Sequence, residues 1–564
     1  MPSASGVWLA PETRQAQVSH REKTLVALIC VWAVGSTFLG RSFTVLRGRS
    51  SWDGLYYAYF GLQWLHGRIP YLQIWENKPP GIFALNAAVF SVFPGSFTAL
   101  AVVEGLSILG CAATVYFLMR CWGAPRLVAC LAAGATAIAS NLNAFSGGGN
   151  SGNLTELYIL WPAVLSMYCF SRFGEQFTSG SVLAAGVFSG VAFLFKTVGM
   201  ASLLAQSAFL FFLGCSRRIR FGRAFCLIAI DLAGASLALL PFVVYFWEHH
   251  ALSEMFFASV TYNFRYFSHA SQDYSLKPFI VASRLAAVGS LVVCFLAGLS
   301  WFLLTQWRSR PVQRVGKSKL NFFGSLTVLW LLADLCGALA SGRDFTHYFL
   351  CLIPSLSVGA GLAYWFMTEM IHAEAPRAAS GMLIFVLVLG PLLFPQAQDM
   401  LALRDILHNE TTWFEVVNSE QAVATYLKRV QKPGDTLFIW DFLPLIHFET
   451  EMSSPTRLPD AGHQWDSRYS REKFVPEILR ELKRSPPTFI VDGSPKTPSQ
   501  NPGDLLYASF YEFVQKQYDL CYVAKVPDDP AKKDLALGDY LRVYQRRTIA
   551  LSGERSHFGQ PSSR

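Results

Sequence analysis

Ser51–Gly81 reads SWDGLYYAYFGLQWLHGRIPYLQIWENKPPG and places one aspartate, one glutamate and one lysine among closely spaced aromatic residues. On its N-terminal side the apolar run Thr24–Gly40 follows Arg14, Arg21 and Lys23. The polar lead is too long for a secretory signal and no small-x-small cleavage site precedes Arg41, so this run predicts a retained first span that enters from the cytoplasm. On its C-terminal side Ile82–Phe93 is apolar but fenced by Pro79, Pro80 and Pro94. At about 1.5 Å per residue it is too short for roughly 30 Å of hydrocarbon, which predicts an interfacial or re-entrant helix. The loop Arg41–Pro80 is then extracytoplasmic, and such loops tend to carry function on a rigid scaffold.

The rest of the chain fits a membrane setting. Of 564 residues, 52% are hydrophobic and 15% charged, with 45 Phe and 15 Trp, which is too apolar for a soluble enzyme. Further runs follow at Leu100–Met119, Leu127–Ala139, Leu154–Phe170, Val182–Phe195, Val198–Leu213, Ala224–Phe246, Phe279–Gln306, Phe322–Ala340, Tyr348–Met367 and Met382–Phe394. Length and charge rules make this about eleven crossings. The net charge of +9 is concentrated in RRIRFGR (Arg217–Arg223) and RSRPVQRVGKSK (Arg308–Lys319), both between apolar runs. That is where basic residues collect on the cytoplasmic side, so nucleic acid is not expected as a partner. Of the 11 Cys, Cys521 alone lies in the C-terminal region, and no pair has metal-site spacing.

Four regions follow: a cytoplasmic segment 1–23, a membrane domain 24–398, a soluble domain 399–551 and a disordered tail 552–564. In the soluble domain Thr436–Trp440, Thr488–Val491 and Tyr540–Tyr544 read as strands, and Ser419–Val430 and Phe474–Leu482 as helices. The expected fold class is an α-helical polytopic membrane protein with a small extracytoplasmic α/β domain. Asp441 and Asp492 follow predicted strands without a companion motif.

Several residues have the chemistry for a site. Asp53 stands beside Tyr56, Tyr57 and Tyr59 at headgroup level, where a carboxylate can take the proton of an attacking hydroxyl. Glu76 and Lys78 precede a rigid double proline, which predicts an extended Lys78 suited to a phosphate. Glu156 opens a predicted span and Lys196 interrupts an apolar one; each is costly there unless it serves a cavity or pairs with the other in a structural salt bridge. Arg343, Asp344, His347 and Tyr348 gather at another outer boundary, where Arg343 suits a second phosphate contact and His347 can orient a neighbour. No P-loop, Rossmann glycine series, HExxH or paired CxxC occurs.

Asp53 with Tyr57, then HGRIPY (His66–Tyr71), then Glu76 with Lys78-Pro79-Pro80, resembles the first outer loop of glycosyltransferase family 39 and the related lipid A aminoarabinose transferases. These are GT-C membrane glycosyltransferases, similar to the dolichyl-phosphate-mannose protein mannosyltransferases. RDFTHYFL (Arg343–Leu350), followed by Pro354, looks like the late-span motif of the bacterial members, and the similarity covers roughly residues 20–395. The resemblance implies that Asp53 is the catalytic loop aspartate, that Lys78 contacts the lipid phosphate, and that Glu156 is the second acid near the catalytic cavity. It implies a polyprenyl-phosphate sugar donor, a lipid, glycan or protein acceptor outside the cytoplasm, and inversion at the transferred sugar. The implied location is a bacterial inner membrane, with the N-terminus cytoplasmic and the C-terminal domain outside. Tyr57, Glu76, Arg343, His347 and Tyr348 are then substrate-binding. Some members use a divalent metal; no local ligand cluster supports one here. Many members also have glutamate after the loop aspartate, where this chain has Gly54. A membrane transporter or flippase for a lipid-linked or sugar substrate is the rival; it needs Glu156 and Lys196 along a path through the bundle. A non-catalytic scaffold that binds through its C-terminal domain is a third.

Overall fold

The computed structural model describes residues 20–142, 152–174, 176–265, 288–289, 291–293, 295–297, 299, 314–340, 345–371, 390–408, 415–462, 468–494, 504–526 and 539–547. They form two compact units: one runs to Thr411 except for Gln73–Trp75, and the other comprises Gln73–Trp75 with everything from Thr412.

The first unit is helical. Its elements are α1 (His20–Arg47), α2 (Trp52–Leu65), α3 (Gly81–Val92), α4 (Phe97–Cys121), α5 (Arg126–Ser140), α6 (Thr155–Ser171), α7 (Ser179–Phe195), α8 (Ala201–Cys215), α9 (Phe221–Glu248), α10 (Leu252–Phe256), α11 (Arg314–Ala340), α12 (Leu352–Ile371) and α13 (Leu393–Leu407). Six helical segments among the described residues are long and apolar enough to cross a membrane: Glu22–Arg47, Phe97–Cys121, Thr197–Cys215, Phe221–Glu248, Phe322–Ala340 and Thr346–Phe366. The expected short helix after Pro80 is α3, with 12 residues. Phe279–Gln306 and Met382–Phe394 lie largely outside the described residues, as do Arg343, Asp344 and the whole tail.

The loop 41–80 differs from the expectation. α1 runs on to Arg47, and Trp52–Leu65 is a helix whose residues from Gly54 to Gln63 are all buried. Ser51 caps it by accepting the Gly54 N–H at 3.0 Å.

Small residues let the spans approach. A Cβ on Gly186 of α7 would lie 1.9 Å from the Asp231 carbonyl of α9, and one on Gly234 would lie 2.2 Å from the Leu183 carbonyl. Only glycine fits at such a crossing, which is how membrane helices associate without a hydrophobic drive between them. A buried ion pair between Arg41 of α1 and Glu104 of α4 adds a polar joint. Glu104 also accepts the Leu154 N–H at 3.3 Å, satisfying a donor at the start of α6.

The second unit contains α14 (Glu415–Val430), β1 (Leu437–Trp440), α15 (Pro444–Thr450), α16 (Arg468–Arg484), β2 (Phe489–Asp492), α17 (Leu505–Gln517), β3 (Tyr518–Lys525) and β4 (Tyr540–Arg546). The sheet order is β1-β2-β4-β3, with β1 and β2 parallel and the other pairs antiparallel. Every residue of β1 and β2 is buried, as expected of strands covered on both faces. The sequence signals for β1, β2 and β4 match these strands; β3 and α17 carried no expectation. Trp75, buried, packs on Phe474 at 4.5 Å between ring centroids and donates its backbone N–H to the Arg457 carbonyl at 2.9 Å. Asp492 is held by the Tyr507 hydroxyl at 2.9 Å and the Ser494 N–H at 3.0 Å, so this unit uses the acid in its own hydrogen bonds.

Candidate active site

Asp53 occupies the first turn of α2, where a carboxylate is favoured by the helix dipole. Its side chain is 41% exposed, unlike the buried turns that follow. Gly54 has no room for a side chain. An added Cβ would sit 2.2 Å from Ser50 Oγ, 2.8 Å from the Gly152 carbonyl and 2.9 Å from Asn153 Cβ. The departure from the Asp-Glu pattern therefore has a steric cause: the chain at 152–153 fills the space a glutamate would need.

Lys78 lies in a bend outside any helix. Its Nζ donates to Asn77 Oδ1 at 2.7 Å and to Glu76 Oε1 at 3.3 Å. Its carbonyl accepts from the Tyr71 hydroxyl at 2.7 Å, and Asn263 Nδ2 fixes the Asn77 carbonyl at 2.9 Å. Burial works against the ammonium, but Tyr57, Glu76, Tyr348 and Asp53 together outweigh it and hold Lys78 well above the ordinary lysine range. It is therefore a permanent cation at neutral pH. Tyr57 is buried on α2, its ring meeting Phe83 of α3 edge-on at 6.2 Å.

Glu156, in the first turn of α6, is enclosed: its side chain is 2% exposed and accepts from Lys196 Nζ and from the Thr155 hydroxyl at 2.9 Å. Lys196 is the extended residue that ends α7 before a 3-10 turn over Thr197–Met200. Gly81 sets this end against α3, since a Cβ there would lie 2.6 Å from the Leu194 carbonyl. Lys196 Nζ also lies 3.6 Å from the centre of the Tyr348 ring, a cation–π contact.

His347 joins the two acids. Its Nε2 is 3.9 Å from Asp53 Oδ2 and 4.0 Å from Glu156 Oε1, and its ring stacks on Phe345 at 5.7 Å. Thus Asp53, Glu156, His347 and Tyr348 converge from α2, α6 and the 3-10 turn before α12, and Lys196 joins them. Glu76 and Lys78 pair with each other in the loop, and Lys78 feels the charge of Asp53. Arg343 lies outside the described residues. The salt bridge between Glu156 and Lys196, one of the two readings of these residues in the sequence, is formed. It does not stand apart from the site, because His347 and Tyr348 touch it. Asn77 and Asn263 gave no sequence signal; each acts through Lys78.

Among the described residues no three of His, Cys, Asp and Glu converge as a metal centre. Glu76 and Glu156 are matched by Lys78 and Lys196.

No protein-family model matches the chain, and no curated protein sequence does. Solved structures do. The archaeal oligosaccharyltransferase AglB from Archaeoglobus fulgidus, in complex with an inhibitory peptide and a dolichol-phosphate, superposes with a TM-score of 0.54 at 12% identity, over 93% of this chain and 88% of its own. ArnT from Cupriavidus metallidurans bound to undecaprenyl phosphate gives 0.54 at 13% identity, over 94% and 99%. Its apo state gives 0.53 at 14%, over 93% and 98%. At these identities the likeness is one of fold: the chain shares the fold of these two membrane transferases.

Proposed function

We propose that this protein transfers a sugar, with inversion, from a polyprenyl-phosphate carrier to a hydroxyl-bearing acceptor outside the cytoplasm. The observation that carries the proposal is the convergence, in a GT-C fold, of an accessible Asp53 with the enclosed Glu156, Lys196 and His347. The dolichol-phosphate and undecaprenyl phosphate in the two related structures support a lipid-linked donor.

Asp53 is the general base. It takes the acceptor hydroxyl proton while that oxygen bonds to the anomeric carbon and the bond from that carbon to the phosphate oxygen breaks. The electron pair leaves on the lipid phosphate, which Lys78 steadies, with Arg343 as a second cation. Tyr57, Glu76 and Tyr348 shape the phosphate and sugar subsites. Glu156, closed off and paired, is a positioning group: with Lys196 it holds His347, which faces Asp53. Neither Glu156 nor Lys196 stands mid-span on its helix, which favours surface chemistry over a transport path.

The protein fits a bacterial inner membrane, with its N-terminus cytoplasmic and its C-terminal domain outside. Residues 1–23, 24–398, 399–551 and 552–564 are the working division. Proteoliposomes supplied with a panel of polyprenyl-phosphate sugars and extracted envelope lipids, glycans and proteins test the proposal. Transfer to one acceptor class is expected. Failure with every donor, alongside uptake or flipping of a lipid-linked sugar, would replace it with transport.

A further inference from the structure

The Gly- and Asn-rich stretch Asn141–Asn153 takes no part in the chemistry above, yet its last two residues are firmly held. Gly152 has φ +121° and Asn153 φ 54°, backbone that glycine and asparagine tolerate better than other residues. Ser50 and Ser51 both donate their hydroxyls to the Gly152 carbonyl, at 2.6 and 2.9 Å. The Asn153 side chain is buried and fully engaged. Its Nδ2 donates to the Gly54 carbonyl and to Asn86 Oδ1, both at 2.8 Å. Its Oδ1 accepts from Asn86 Nδ2 and from the Tyr158 hydroxyl, both at 3.3 Å. One amide thus ties the first turn of α2 to α3 and α6. It does so one residue after Asp53 and three residues before Glu156.

We infer that Asn153 is a positioning residue that sets Asp53 against His347 and Glu156. The inference rests on the glycosyl-transfer reading, in which Asp53 is the base. A misplacement of about 1 Å in a reacting group costs about 100-fold in rate, and Asn153 fixes the peptide that follows Asp53.

Two variants test this. Asn153→Gly keeps the left-handed backbone and deletes the side-chain bonds. Asn153→Asp keeps the shape but turns an oxygen, not a donor, toward the Gly54 carbonyl. Each is expected to lower kcat about 10- to 100-fold, while undecaprenyl phosphate binding and donor KM, which depend on Lys78, change by less than about twofold. In an Asp53→Asn background Asn153→Gly should add no further loss, whereas a merely structural role would multiply the two effects. Unchanged kcat in both variants, or a loss of donor binding in step with the loss of kcat, overturns the inference. An inactive wild type would instead refute glycosyl transfer, and cryo-EM maps of wild type and Asn153→Gly then decide: Asp53 shifted from His347 by about 1 Å or more supports the inference, and an unmoved Asp53 overturns it.

Discussion

Replacing Lys196 by methionine keeps the length of the side chain and removes its charge. Glu156 would be left enclosed, with the Thr155 hydroxyl at 2.9 Å and His347 at 4.0 Å still beside it but no fixed cation. Removing one member of a buried pair costs about 3–5 kcal/mol, chiefly because the other charge is stranded. The lost contact with the Tyr348 ring adds about 0.5–2 kcal/mol. A second change, Glu156→Gln, removes the stranded charge and should recover most of the first cost, leaving the double variant about 1–2 kcal/mol below wild type. The double variant is therefore expected to be about 3 kcal/mol more stable than Lys196→Met. Unfolding in micelles, followed by tryptophan fluorescence on wild type, both single variants and the double variant, measures it. A Lys196→Met protein within about 1 kcal/mol of wild type, or a double variant no more stable than Lys196→Met, would refute the reasoning.

Gly54→Glu, the residue many similar proteins carry, should destabilise the first unit by about 1–3 kcal/mol and lower transfer, because its Cβ would fall 2.2 Å from Ser50 Oγ and 2.8 Å from the Gly152 carbonyl; melting temperature and transfer rate report it. Burial pushes His447 in the second unit down to about 3. The unfolded chain takes a proton below about pH 6.5 that the folded one refuses, so its contribution to stability is whole above that pH and falls by about 1.4 kcal/mol per unit as pH drops toward 3. Melting of the second unit at pH 7 and pH 5 should show this loss, and His447→Leu should flatten it.

The six long apolar helices were legible because lipid demands long apolar runs. Their limits were less so: α1 extends past the apolar Thr24–Gly40 at both ends, since backbone hydrogen bonding does not stop where hydrophobicity does. α2 escaped notice for a different reason. Every residue from Gly54 to Gln63 is buried, so no polar stripe marks a helical period. β3 was hidden by its irregular burial and by the register shift between Leu520 and Tyr522. At the site, charged residues in apolar or aromatic surroundings gave themselves away: Asp53, Lys78, Glu156 and Lys196. The pairing of Glu156 with Lys196 was one of two readings, but that His347 stands between Glu156 and Asp53 shows only when α2, α6 and the turn before α12 pack. Asn153 is neutral, and its one trace was the Gly- and Asn-rich composition of the stretch it ends. The absence of a glutamate after Asp53 was visible, but its steric reason needed the chain at 152–153.

The decisive measurement is the rate of sugar transfer from a polyprenyl-phosphate donor by wild type and Asp53→Asn, in proteoliposomes at matched amounts of folded protein. The amide keeps the shape of Asp53 and its place beside His347 but cannot accept the hydroxyl proton. A fall of about 100-fold or more, with undecaprenyl phosphate still bound, is expected of a lost general base. Transfer at the wild-type rate would contradict it and remove Asp53 from the chemistry.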